Sequence, residues 1–201
     1  MKMKKLITAA ILATAIGSNA MAATEEIVFG MGCFWGAEKR MSELPGVLDV
    51  ESGYAGGDMD DATYYKVMAA ARLSRFGIGK SHAEVVRVKY DTSVTSTDAV
   101  VKKFWESHDP TQGDRQGNDV GAQYRSAAYY TSDEQKDVIN KTLAQYQSLL
   151  NNAGHGTITT EVAPLGKYFT AEEYHQNYLV KNPNGYCGLG GIGVKFPKGD
   201  E

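Results

Sequence analysis

The sequence Ile27-Val28-Phe29, followed shortly by Gly32-Cys33-Phe34-Trp35-Gly36, predicts a strand that turns directly into a helix. The apolar run favours a buried strand, and residues 36–44 have helical composition up to a Pro-Gly pair. A helix N-terminus has unpaired N–H groups and partial positive charge, so it stabilises a thiolate over a thiol. We therefore expect Cys33 to be a nucleophile with a lowered pKa.

The chain has one other cysteine, Cys187, in a stretch rich in glycine at 185–191. One cysteine on a rigid turn and a second in a glycine-rich loop suggest an attacking and a resolving thiol. A single structural disulfide is the alternative, and composition leaves it open.

The N-terminus has the features of an export signal. Lysines occupy three of the first five positions, residues 6–16 are apolar but too few to span a bilayer, and Ala20-Met21-Ala22 fits a cleavage site. We expect residues 1–22 to be a cleaved signal peptide and the protein to be periplasmic or secreted. An uncleaved anchor is the alternative, and the lack of a longer apolar run disfavours it.

The remaining residues, 23–201, are expected to form one domain, because no repeat, linker or low-complexity tract divides them. The formal net charge of −3 gives no electrostatic case for binding nucleic acid or an anionic membrane. We expect a monomer that does not associate with the membrane after cleavage.

Strand and helix signals alternate along the domain, which predicts an α/β or α+β fold. The predicted strands, besides the first, are residues 47–54, 81–90, 123–130 and 157–162. The predicted helices are residues 64–74, a helix capped by Thr95 through Ser107, one capped by Ser132 through Asn152, and one capped by Thr170 that stops before Pro183.

Glu84 is the most informative carboxyl. Side chains alternate along the predicted strand 81–90, so Glu84 shares a face with Val86, Val88 and Tyr90. A carboxyl on that apolar face should have a raised pKa and could donate a proton. The alternative is that Glu84 reaches water near the strand end.

Other residues could support chemistry at the thiol. Tyr64 follows a polar turn and Tyr124 follows a glycine-rich loop, so either hydroxyl could donate a hydrogen bond. Asp119 in that loop could orient a tyrosine or a water. Phe34 and Trp35 could be core, or could form an apolar pocket at the thiol. The four histidines make no metal-ligand spacing with the cysteines.

These residues together resemble the A-type peptide methionine sulfoxide reductases, in order from about Ile27 to Val194. The resemblance implies an α+β fold, a two-layer sandwich with a mixed sheet around a ferredoxin-like βαβ core and a long glycine-rich C-terminal coil. The matching segments are Gly32–Gly36, Leu44–Val47, Gly53–Gly57, Thr63-Tyr64, His82–Glu84, His108–Gln112, Arg115–Gly121, Gln123–Ser126, His175–Leu179 and Gly185–Gly188.

The resemblance implies reduction of methionine-S-sulfoxide to methionine and repair of oxidised envelope or secreted proteins. It implies a Cys33 sulfenic acid, then a Cys33–Cys187 disulfide that a thioredoxin-like dithiol protein reduces, with no cofactor. The implied site comprises Cys33 as nucleophile, Phe34 and Trp35 around the substrate methyl, Glu84, Tyr64 and Tyr124 at the sulfoxide oxygen, Asp119 in support, and Cys187 as resolving thiol.

The chain departs from that pattern in three places. Residues 68–80 are longer than the family's pattern by several residues and carry Arg72, Arg75 and Lys80. Ser81 stands where the family usually has glycine. No cysteine follows Cys187 to relay the disulfide, so the reductant should attack the Cys33–Cys187 bond directly.

Two other functions compete. A cysteine hydrolase would need a base paired with Cys33, most plausibly a histidine, and would have no need for Cys187. A binding module would use the two cysteines as a structural disulfide.

Overall fold

The computed structural model describes residues 23–186, 188 and 190–197. The predicted signal peptide, residues 1–22, and the predicted resolving Cys187 lie outside the described residues. No helix in the described part of the chain is long and apolar enough to cross a bilayer.

The fold is α+β, with a mixed sheet and helices packed mainly on one face. The strands are β1 (Thr24–Met31), β2 (Val47–Ala55), β3 (Ala83–Asp91), β4 (Arg115–Gln116), β5 (Asp119–Val120), β6 (Ser126–Tyr130), β7 (Glu161–Pro164) and β8 (Tyr168–Thr170). The α-helices are α1 (Phe34–Ser42), α2 (Tyr64–Ser74), α3 (Thr97–Glu106), α4 (Asp133–Asn152) and α5 (Tyr178–Lys181). Short 3-10 helices span Ala122–Tyr124 and Glu173–His175.

The main sheet has the strand order β7-β6-β1-β3-β2-β8, and β4 pairs with β5 in a separate ribbon. The β6–β7 pair is parallel and the other pairs are antiparallel. The strand β1 lies inside the sheet between β6 and β3 and is buried along most of its length, as its apolar sequence predicts.

Side chains alternate between the two faces along β1 and β3, so the sheet has one apolar core on each face. Ile27 and Phe29 of β1 face the layer of α1, α3 and α4, where Phe29 stacks on Phe104 with ring centroids 4.5 Å apart. Val28 faces a smaller cluster with Val85 and Tyr129 on the opposite side of the sheet. The strand β3 therefore presents one residue set to each core, as the period of two requires.

Several sequence predictions of local structure are wrong. The strand predicted at residues 157–162 is observed at Glu161–Pro164, and α3 is capped by Ser96 rather than Thr95. The predicted strand 123–130 begins only at Ser126, because Tyr124 belongs to the preceding 3-10 helix. The predicted final helix does not start at Thr170, since that residue pairs with Gly53 as part of β8. The last helix is the short α5, which follows Asn177 in the left-handed region at φ 52°.

Candidate active site

Cys33 lies at the turn between β1 and α1 and is the N-cap residue directly before the helix. Gly32 just before it has φ 92°, a conformation that favours glycine and lets the chain reverse from strand to helix. The Cys33 carbonyl accepts the Ala37 N–H at 3.3 Å, so the first helical turn forms immediately after the cysteine. The predicted strand-to-helix turn is confirmed, with the helix two residues earlier than its composition indicates.

The expected lowering of the Cys33 pKa is wrong. Burial raises the pKa of the thiol to about 12, and the nearby carboxyl of Glu84 raises it further. Backbone N–H groups of Trp35 and Gly36 at the helix start act in the expected, lowering direction, but burial outweighs them. At neutral pH the resting sulfur is therefore a thiol.

Glu84 lies on β3 directly behind the start of α1, and it is 2 % exposed. Burial raises the pKa of Glu84 to about 8, and the charge of Asp119 contributes in the same direction. The Phe34 N–H donates to Oε2 of Glu84 at 3.1 Å, so this carboxyl accepts one of the unpaired N–H groups of α1. The prediction of a buried, protonated carboxyl is confirmed, and the alternative of a water-exposed Glu84 is wrong.

A cavity of about 100 Å³ opens at the thiol. It collects every residue of the predicted site that lies within the described part of the chain, together with two residues that sequence reasoning did not assign to it. The lining comprises Cys33, Phe34, Trp35, Tyr64, Glu84, Asp119, Tyr124, His175 and Tyr186.

The two predicted tyrosines are held by different elements. Tyr64 begins α2, and its N–H donates to Oε1 of Glu172 at 2.9 Å, while Oε2 of Glu172 accepts the Tyr54 hydroxyl at 2.9 Å. Burial, then the charge of Glu84, raises the pKa of both Tyr64 and Tyr124. Both hydroxyls therefore stay protonated at neutral pH and lie within electrostatic reach of the buried carboxyl.

Tyr124 is positioned by its neighbour Arg125, whose guanidinium is almost buried. Arg125 donates to the carbonyls of Ser81 at 3.0 Å, Ala122 at 2.8 Å and Gly56 at 3.0 Å. Its Nε also pairs with Glu161 at 2.9 Å. This network fixes the 3-10 turn against the start of β3, the strand that carries the buried carboxyl.

Asp119 lies on the short strand β5 at the rim of the cavity. Burial raises the pKa of Asp119, and a hydrogen bond from the Tyr186 hydroxyl opposes that rise. Asp119 therefore contacts the chain immediately before the predicted resolving cysteine.

His175 is a cavity residue that the sequence reasoning missed. Its Nδ1 accepts the Trp35 Nε1–H at 3.0 Å, and its ring lies 4.9 Å from that of Phe34. The other ring nitrogen is buried and has no hydrogen-bond partner among the described residues. A donor to Nδ1 leaves the proton of the neutral ring on Nε2, so this buried N–H has no acceptor among the described residues. The spacing of residues in the sequence could not indicate this contact, because 140 residues separate Trp35 and His175.

The aromatic wall is completed by Tyr178, which stacks on Trp35 with ring centroids 3.7 Å apart and an interplanar angle of 13°. Phe34 is 1 % exposed and packs against Tyr54 and His175. The cavity thus joins a thiol, an apolar wall and protonated oxygen donors. Such a site can hold a small group that is apolar on one side and carries a polar oxygen on the other.

A hydrolase would need a histidine base at the thiol. Within the described ranges no histidine hydrogen-bonds to Cys33, and Nδ1 of His175 is engaged by Trp35. Nor do these ranges contain a group of three or more potential metal ligands placed to hold an ion. The site geometry gives the hydrolase alternative no support.

The comparisons with known proteins agree on one family. The family model described as peptide methionine sulfoxide reductase matches residues 25–192. Peptide methionine sulfoxide reductase MsrA of Vibrio vulnificus is 51% identical over 182 residues, which cover 90% of this chain and 83% of that protein. MsrA 1 of Caulobacter vibrioides is 50% identical over 87% of this chain and 77% of that protein.

Solved structures give the same assignment. Methionine sulfoxide reductase A of Corynebacterium diphtheriae superposes with a TM-score of 0.71 at 42% identity, covering 84% of this chain and 79% of that one. Mxr1 of Saccharomyces cerevisiae in its reduced form superposes with a TM-score of 0.69 at 33% identity, covering 81% and 88% of the two chains. The chain therefore belongs to the peptide methionine sulfoxide reductase family and is an oxidoreductase of the peptide-methionine (S)-S-oxide reductase type.

Proposed function

We propose that this protein reduces methionine-S-sulfoxide in polypeptides, with Cys33 as nucleophile and Glu84 as proton donor. The observation that carries the proposal is a thiol and a protonated carboxyl in one cavity, the carboxyl having a pKa of about 8. The Phe34 N–H occupies Oε2 of Glu84, which leaves the other oxygen free to hold the proton. A sulfoxide oxygen leaves sulfur only when protonated, and the Glu84 carboxyl can supply that proton.

The rest of the cavity suits the remaining parts of the substrate. Phe34 and Trp35 supply the apolar wall for the methyl group, and the hydroxyls of Tyr64 and Tyr124 stabilise charge that develops on the oxygen. Asp119 supports the site through the Tyr186 hydroxyl.

The proposed reaction transfers one oxygen and then releases it as water. Glu84 gives its proton to the sulfoxide oxygen while the Cys33 sulfur attacks the sulfoxide sulfur, and the thiol hydrogen returns to the Glu84 carboxylate. The S–O bond of the substrate breaks as the hydroxyl bonds to the Cys33 sulfur, so methionine leaves and Cys33 becomes a sulfenic acid. The Cys187 sulfur then attacks the Cys33 sulfur, so a disulfide forms and the oxygen leaves as water. An external dithiol supplies two electrons and two protons to restore both thiols.

We infer that the reductant is a thioredoxin-like protein. The disulfide must be reduced by exchange with another dithiol, and an oxidising compartment would make a dedicated donor necessary. Mxr1 of Saccharomyces cerevisiae has been solved in complex with Trx2, which motivates the same class of partner here.

Two further parts of the proposal concern export and architecture. The basic, apolar and Ala-x-Ala features of residues 1–22 support a cleaved signal peptide and repair of envelope or secreted proteins. The order β6-β1-β3-β2, with α1 after β1 and α3 after β3, supports a ferredoxin-like core. The glycine-rich C-terminal coil and the monomeric state stay predictions.

The experiment is single turnover with a methyl sulfoxide substrate. Cys187→Ser should stay folded, release one equivalent of methionine, and accumulate Cys33 with the mass of one added oxygen. Cys33→Ser should release none, and only the S epimer should be consumed. Turnover by Cys33→Ser, or unfolding of Cys187→Ser with loss of about 2–5 kcal/mol as expected for a structural disulfide, would contradict the proposal.

A further inference from the structure

A second cavity of about 350 Å³ lies directly beside the catalytic one. Met68, Arg72 and the adjoining Arg75 line one side, and residues 118–121 with Gln123 and Tyr124 line the other. We refer to this cavity as the side groove. Asp119 and Tyr124 line both cavities, so the side groove begins at the wall of the catalytic site.

The side groove is positively charged in a chain whose formal net charge is −3. Among the described residues, the guanidinium groups of Arg72 and Arg75 form no ion pair with a carboxylate. The lysines of the same region differ, since Lys66 pairs with Asp61 and Lys80 pairs with Glu161.

The Arg75 side chain extends across the groove. Nη2 of Arg75 donates to the Val120 carbonyl at 3.2 Å, which brings the guanidinium to the opposite wall. The one carboxyl among the lining residues, Asp119, is engaged by the Tyr186 hydroxyl. Two exposed cations therefore face the groove without a carboxylate partner in the described part of the chain.

We propose that the side groove is a subsite for an acidic side chain close in sequence to the oxidised methionine of a polypeptide substrate. The inference rests on the proposed function, because the sulfoxide must occupy the catalytic cavity. Guanidinium groups bind carboxylates through paired, charge-assisted hydrogen bonds. Successive residues of an extended peptide are about 3.3–3.6 Å apart, so residues near the sulfoxide reach a groove that shares its wall.

The same subsite gives a role to the segment 68–80. This segment supplies both arginines. Gln123 Nε2 contacts the Met68 sulfur at 3.5 Å, so the beginning of the segment is tied to the turn that carries Tyr124.

The test compares three blocked peptides that differ only in residues beside methionine sulfoxide: glutamate, glutamine or lysine. Dithiothreitol is the reductant, so no protein partner is involved. We expect kcat/KM to be highest for the glutamate peptide, about five-fold above glutamine, and to fall with added salt. The double variant Arg72→Gln/Arg75→Gln should remove the preference, and Arg72→Glu/Arg75→Glu should reverse it in favour of lysine.

Lys136→Gln/Lys141→Gln on α4 removes the same charge elsewhere and should keep the preference. Equal kcat/KM for the three peptides, or a preference that survives in Arg72→Gln/Arg75→Gln, would overturn the subsite alone. If kcat/KM of Arg72→Gln/Arg75→Gln fell only when a protein dithiol replaced dithiothreitol, the groove would bind the reductant and the inference would be overturned. Failure to reduce any of the peptides would overturn the proposed function and the subsite together.

Discussion

Cys33 and Glu84 hold their protons for the same reason, which is removal from water. Burial is the largest cause of the raised pKa in both groups, and the charge of Glu84 further opposes ionisation of Cys33. The N–H groups at the start of α1 serve both, with Phe34 donating to the carboxyl. A helix terminus contributes about 0.3–1 kcal/mol at an exposed site, which is too little to offset burial of a thiolate.

Glu84→Gln should change the pH dependence as well as the rate. The carboxyl is the donor only while protonated, so the wild-type kcat/KM should fall as pH rises through about 8. The variant should be at least about 100-fold slower and lack that fall. Removing the carboxyl charge should also lower the thiol pKa, which the pH dependence of iodoacetamide alkylation measures.

The partly exposed Glu26 offers a control for that experiment. Glu26→Gln should retain the wild-type pH profile, because its carboxyl lies outside the cavity. A Glu84→Gln enzyme that kept the fall near pH 8 would assign the titration to another group.

The burial of Glu84 could be predicted because the period of a strand is local information. The thiol pKa and the role of His175 could not, since both depend on chain segments distant in sequence. Trp35 and His175 meet across 140 residues, and Tyr64 meets Glu172 across 108. Such contacts can be predicted only when the order of the strands in the sheet is known.

At the scale of elements, helix starts were predicted best where one capping residue was available. Ser132 accepts the Gln135 N–H as its sequence predicts. The cap of α3 is Ser96 rather than Thr95, because neighbouring hydroxyls both fit the pattern and only Ser96 has the Ala99 N–H in reach, at 3.1 Å. The helix 64–74 was predicted at its observed bounds.

Glu172 shows how one side chain joins three elements. It follows β8 and binds Tyr54 of β2 and the first N–H of α2. Burial acts to raise its pKa, but the hydrogen bonds it accepts together outweigh burial and lower the pKa, so Glu172 stays ionised at neutral pH. It therefore sets the position of the Tyr64 side chain without lining the cavity.

Glu172→Gln should lower kcat/KM by about ten-fold through misplacement of Tyr64, since an amide offers one acceptor oxygen where two are used. In a Tyr64→Phe background the same substitution should cost much less, because the hydroxyl it positions is already absent. The four kcat/KM values form a double-mutant cycle. Full additivity would show that Glu172 acts on the stability of the fold and not on the position of Tyr64. Urea unfolding of each variant would then show a lower free energy of unfolding.

At the scale of the whole molecule, the C-terminal segment 190–197, here called the strap, lies against α3 and α4. Both carboxyl oxygens of Glu106 hold it, accepting the Phe196 N–H at 2.8 Å and Lys195 Nζ at 3.0 Å. The Tyr146 hydroxyl donates to the Val194 carbonyl at 3.1 Å. Glycine is required at 191, where a Cβ would approach the Glu106 carbonyl to 2.0 Å.

The strap and Tyr186 fix the chain on both sides of position 187. Tyr186 lines the catalytic cavity, and the hydrogen bonds of the strap begin at Val194. The sequence predicted a glycine-rich tail but not these attachments, because they depend on how α3 and α4 pack together. For the proposed resolution by Cys187, contacts on both sides of that residue should favour its encounter with the Cys33 sulfenic acid.

Glu106→Ala should therefore slow disulfide formation without slowing the first oxygen transfer. Loss of the strap contacts should lengthen the lifetime of the Cys33 sulfenic acid by up to about five-fold, because a partly exposed ion pair contributes at most about 1 kcal/mol. Rapid quenching, thiol alkylation and intact mass would follow both steps, with Asp137→Asn on α4 as the charge-matched control. If the sulfenic acid of Glu106→Ala resolved at the wild-type rate, then the strap would serve stability alone, and positioning of Cys187 would have to come from the Tyr186 side.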